Sequence, residues 1–166
     1  MRWSKLKKLV ESNFADPVAS RVAIHSTRYG GCTCGHAWFA LDGEVVANFC
    51  TRAYFNRFAY GLKEEDQGVS EEQAKRYRDQ PVEYGEINRQ DLYESCWAYV
   101  HDISFQDALK SDDPLIQAFV MLDKRLGKRR IATLDREAFH PLAIKMLDIR
   151  LAADQSSAAR TRELSS

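Results

Sequence analysis

At 166 residues the chain has the size of one domain, and 45% hydrophobic with 11% aromatic residues argues for a packed core against intrinsic disorder. Lys and Arg number 24 and Asp and Glu 24, so no global field draws the chain to nucleic acid or to an anionic membrane. Apolar runs fall short of the roughly 18 residues needed to cross a bilayer, and M-R-W-S-K-L-K-K-L lacks the apolar stretch of a signal peptide, so a cytoplasmic protein with reduced cysteines is expected.

Trp3, Leu6, Leu9, Val10 and Phe14 recur at helical spacing, with Lys5, Lys7, Lys8 and Glu11 on the other faces. The pattern predicts an amphipathic helix capped by Ser4 and ended by Pro17. Residues 21–29, rich in Val, Ile, Thr and Tyr, predict a strand closing at Gly30-Gly31. Residues 36–41 and 44–50 predict two more, joined by Asp42-Gly43 as a type I′ hairpin. The aromatic-rich residues 51–60 predict a short helix docked on the sheet. Residues 63–80 are polar, with a capping box at Ser70 and Gln73, and residues 81–87 suggest a fourth strand. Helical periodicity then takes over. Leu92, Cys96, Tyr99, Val100 and Ile103 form one stripe opened by Asn88 or Asp91. Pro114, behind Asp112 or Asp113, opens a central apolar helix reaching Leu126 and ended by Gly127. Pro141 opens a last helix through Leu151.

Strands first and helices later is the α+β pattern. The expectation is a three- to four-stranded antiparallel sheet from the N-terminal half, packed against an N-terminal helix and C-terminal helices. This makes one α+β domain over residues 1–153, with a disordered tail at 154–166 that is too poor in apolar residues to stay ordered.

Chemistry-bearing residues concentrate in G-G-C-T-C-G-H. His25, Cys32, Cys34 and His36 are the candidate metal ligands, since thiolates and imidazoles suit soft transition metals. Cys32, Cys34 and His36 share one face of an extended segment. A regular hairpin pairing Leu41 with Glu44 places Trp38 opposite Ala47 and Cys50 opposite Gly35, and so turns Cys50 away from Cys34 and His36. On that register a metal is not expected, nor any other cofactor. A thiol nucleophile would pair Cys34 with His36, a geometry that sequence proximity alone does not supply. Cys96 lies in an apolar stripe and reads as core. His25-Ser26-Thr27 is half of a paired H-x-T arrangement without a second copy. His101 reads as a helix-terminal cation and His140 as a residue opening the last helix. Phosphate-cradling glycine loops are absent from the sequence.

The basic run Lys124, Arg125, Lys128, Arg129 and Arg130 is the candidate nucleic-acid contact; as a plain structural feature it is the cationic end of the central helix.

The opening W-S-K-L-K-K-L-V-E, the strand R-V-x-I-H-S-T-R-Y, the segment D-G-E-x-x-A-N-F-C-T and the late motifs P-L-I-x-A-x-x-M-L-D-K-R-L-G-K-R-R and H-P-L resemble a family of small uncharacterised bacterial proteins. The resemblance implies a compact bacterial cytoplasmic protein and supplies no catalytic or binding residues. The functional expectation is a non-enzymatic accessory protein whose partner is another protein and not a membrane, binding through the aromatic residues 54–60 or the Trp38 face of the hairpin. The alternatives are a nucleic-acid-binding protein using residues 124–130, and a metal-binding protein or enzyme using the Cys32, Cys34 and His36 cluster.

Overall fold

A computed structural model describes residues 1–28, 35–51 and 87–163. The chain is α+β, with a three-stranded antiparallel sheet and N-terminal and C-terminal helices. It divides into two compact units, Met1–Ala23 with Ser95–Ser166, and Ile24–Glu94.

The sheet comprises β1 (Val22–Arg28), β2 (Gly35–Leu41) and β3 (Glu44–Cys50), in that spatial order. Asp42 and Gly43 both have positive φ, 51° and 91°, which two-residue type I′ turns require, and Leu41 pairs with Glu44. The regular register then fails. A bulge between Phe39 and Ala40 leaves Val46 without a cross-strand partner, so Phe39 pairs with Ala47, Trp38 with Asn48, Ala37 with Phe49 and His36 with Cys50. The expected Trp38–Ala47 and Gly35–Cys50 pairs are therefore corrected by one residue. Core packing gives the reason. The shift gathers Ala37, Phe39, Ala47 and Phe49 on one fully buried face, with Phe39 and Phe49 edge to face at 6.0 Å. A regular ladder would place Asn48 and Cys50 on that face and expel Phe49.

In the other unit α1 (Trp3–Glu11) buries Leu6 and Val10, one turn apart. Its N-cap is Arg2 and not Ser4, which lies inside the helix. Pro17 does not end α1 but sits in the first turn of a separate short helix, α2 (Asp16–Ala19), where its missing N–H costs nothing. Further along are α3 (Arg89–His101), α4 (Phe105–Ala108), α5 (Pro114–Leu122), α6 (Lys128–Ile131), a 3₁₀ turn (Arg136–Ala138) and α7 (Pro141–Glu163). At the start of α3, Asn88 Oδ1 accepts from the N–H groups of Gln90 and Asp91, and the Asp91 carboxylate accepts from the Asn88 N–H in return. Asp113 caps α5 by accepting from the N–H groups of Leu115 and Ile116 at 2.7 and 3.1 Å. Every residue of α5 after Pro114 is buried, as a central helix demands, and α5 packs along α7.

The central helix stops at Leu122 and not at Gly127. Asp123 is extended, its backbone bridged antiparallel to Phe14, and Gly127 is instead the N-cap of α6. The final helix exceeds its expected end at Leu151 and reaches Glu163. The added residues include four alanines, the best helix former, together with Gln, Arg and Glu, so propensity extends the helix where the apolar stripe has ended. The Gly30-Gly31 turn, Cys32, Cys34, the helix and capping box expected within 52–80, and the fourth strand apart from Ile87 all lie outside the described residues.

Candidate functional site

The bulge assembles a face that the regular register disperses. His36, Trp38 and Ala40 of β2 lie on the sheet face opposite Phe39, with Cys50, Asn48 and Val45 as their partners on β3; His36, Ala40, Asn48 and Cys50 are buried there too. The indole of Trp38 stacks against the imidazole of His36 at 4.8 Å and against that of His25, from β1, at 5.0 Å and 9°. His36 Nε2–H donates to Asn48 Oδ1 at 2.5 Å, which leaves Nδ1 as the acceptor of the neutral ring. Burial lowers the His36 pKa below its usual value, and the hydrogen bond to Asn48 opposes this less strongly. Asn48 is 2% exposed, and its Nδ2 has no hydrogen-bond partner among the described residues.

At the base of this site, Gly35 N–H donates to Thr51 Oγ1 at 3.2 Å. A Cβ on Gly35 would lie 2.0 Å from the Thr27 carbonyl oxygen and 2.3 Å from Arg89 Cδ, so only glycine allows these groups to approach. At the turn end of the face Val45, the partner of Ala40, is 46% exposed, and Trp38 is half-buried.

Of the sequence candidates, His25 and His36 thus meet at Trp38, and Cys50 returns to the His36 side. Among the described residues no group of three or more His, Cys, Asp or Glu is placed to hold a metal. Cys96 is fully buried in α3 and its thiol pKa is pushed up by desolvation, as a core cysteine requires. His101 occupies the last turn of α3, its ring 4.5 Å from that of Trp97. His140 opens α7, its Nδ1 accepting from Leu142 N–H at 3.1 Å.

The basic run is divided. Arg125 closes onto the buried carboxylate of Asp123, donating from Nε and Nη2, and its guanidinium also reaches Tyr99 Oη. Tyr99 in turn donates to Asp123, and its pKa is raised by burial and then by that carboxylate. Hydrogen bonding to Asp123 raises the Arg125 pKa further. Lys124 Nζ donates to the Ser12 carbonyl at 2.8 Å, while Lys128, Arg129 and Arg130 are exposed on α6.

Two features escaped sequence reasoning. Asn48 carried a signal, because a polar residue in strict alternation with Phe39-facing positions would fall in the core. Arg150 carried another, standing four residues after Met146 and three after Leu147, where the α7 stripe calls for an apolar side chain.

Among the described residues no helix is long and apolar enough to cross a membrane. No curated protein and no solved structure matches the chain. The model of the SF0329 protein family matches residues 2–151, a span that contains every motif quoted above, and the chain belongs to that family.

Proposed function

We infer that this is a non-enzymatic accessory protein of the bacterial cytoplasm that acts by binding another protein through the Trp38 face of its hairpin. The observation that carries the reading is the indole of Trp38, held by two stacked imidazoles on the sheet face that also carries the exposed Val45. Tryptophan is favoured at the energetic centres of protein interfaces, and a ring already fixed by its neighbours loses little freedom on binding. Immobilised wild-type protein and the variants Trp38→Ser, Val45→Asp and Trp97→Ser would be compared for proteins retained from a bacterial lysate. A polypeptide retained in stoichiometric amount by wild type and Trp97→Ser, and lost from the two hairpin variants, supports the reading. Retention that ignores both hairpin variants overturns it.

The pairing of His36 with Cys50 favours a second reading, in which the Cys and His cluster binds a transition metal with Cys50 as a further ligand. Elemental analysis of the purified protein decides it. About one metal per chain, lost in both His36→Gln and Cys50→Ser, would replace the accessory reading.

A further inference from the structure

We propose that the chain carries a second binding surface, directed at the phosphate backbone of nucleic acid, which the exposed lysines of α1 and the basic turn of α6 form jointly. Lys5, Lys8 and Ser12 stand at i, i+3 and i+7 and make one exposed stripe along α1 and its C-cap. The bridge between Phe14 and Asp123 brings the late basic segment to the end of that stripe: Lys124 donates its N–H to the Asn13 carbonyl at 2.9 Å and its ammonium to the Ser12 carbonyl at 2.8 Å. A tight turn closed by Leu126 N–H on the Asp123 carbonyl then leads into α6. The late basic segment thereby meets the α1 C-cap from more than 110 positions away in sequence.

The composition of the surface selects its partner. Lys5, Lys8, Lys128, Arg129 and Arg130 make no ion pair among the described residues, whereas Arg125 is held by Asp123 and stands outside the set. Of the apolar residues interleaved with them, Leu6, Val10 and Leu126 are fully buried, and Leu9 and Ile131 are half-buried. Among the described residues of α1 and α6 no large apolar side chain is fully exposed for insertion into a bilayer or for the dry centre of a protein interface. Solvated Lys and Arg without an apolar companion suit a regular array of phosphates, whose condensed counterions are released on contact.

The test is a fluorescence-anisotropy titration of the full chain against a short labelled RNA duplex across a series of salt concentrations. Affinity should fall with salt, and the logarithmic slope should shrink by about 2 in Lys5→Ala/Lys8→Ala and by about 3 in Lys128→Ala/Arg129→Ala/Arg130→Ala. Lys→Arg replacements in both segments should restore the slope, and Trp38→Ser should bind as wild type, which separates this surface from the hairpin face. Unchanged thermal midpoints establish that the variants fold. The joint surface is refuted if the α1 variant binds as wild type, if the wild type fails to bind RNA at low salt, or if phosphatidylserine vesicles retain the protein while RNA does not.

Discussion

His36 and Gly35 show how closely the hairpin determines its residues. The His36 ring is favoured neutral because burial outweighs its bond to Asn48, so its folded pKa lies below the ordinary value of 6.5. Below that value the unfolded chain takes up a proton that the folded ring refuses, and the unfolded state therefore binds more protons. Stability is complete above the unfolded pKa and declines as pH falls towards the folded one. Urea midpoints measured near pH ~7.5 and pH ~5.5 should fall more for wild type than for His36→Gln; equal falls would remove His36 from the acid sensitivity. At Gly35 the obstacle is steric. A methyl group 2.0 Å from a backbone oxygen cannot be relieved by a rotamer change, so Gly35→Ala should cost about 3 kcal/mol in denaturant unfolding.

At the scale of the element, the turn was legible and the register was not. Asp-Gly announces two residues of positive φ, and both adopt it. Space around Gly43 is open, so Gly43→Val should lose only conformational energy, roughly 1–3 kcal/mol. The bulge has no comparable residue signature, since Val46 is as suited to a regular strand as Val45. What selects it is non-local: Phe49 must reach the Phe39 face and Asn48 must reach His36. This also explains why the Cys50 placement was missed, because a single unpaired residue inverts every later side chain. Deleting Val46 gives a sharp check. Removing the unpaired residue leaves a regular ladder with the same Phe39–Ala47, Trp38–Asn48 and His36–Cys50 pairs. The deletion should therefore fold, with a loss of about 1 kcal/mol, and should keep cross-strand NMR contacts between Trp38 and Asn48. Contacts between Trp38 and Ala47 in either protein would restore the regular register.

Within the unit formed by Met1–Ala23 and Ser95–Ser166, the late motif M-L-D-K-R-L-G is a junction as much as a charged surface. Periodicity extends α5 to Leu126 because Leu126 is apolar and buried, but the chain leaves the helix at Asp123 to bridge Phe14. After that exit Asp123 N–H serves the Val120 carbonyl and Ala15 N–H that of Leu122, while the Met121 carbonyl has no intrahelical N–H within reach. Arg150 of α7, only 6% exposed, resolves this: Nη1 donates to the carbonyls of Met121 and Asp123 at 3.1 and 2.8 Å, and Nη2 to that of Leu126 at 2.8 Å. Burial lowers its pKa, partly offset by Asp154 and Asp123. Arg150→Met keeps most of the volume and removes all three bonds. The Asp123 carbonyl keeps its bond from Leu126 N–H, but those of Met121 and Leu126 are left stranded at on the order of 1 kcal/mol or more each, so a loss of at least ~2 kcal/mol is expected. Arg150→Lys should recover only part of it, because an ammonium cannot reproduce the planar fork that serves three acceptors. Arg136→Met is the control, since its 2.7 Å pair with Asp148 is about half exposed on both sides and should contribute no more than about 1 kcal/mol. Chemical denaturation of the three variants would rank them in that order; an Arg150→Met protein as stable as Arg136→Met would show that water satisfies these carbonyls and that the junction holds without its arginine.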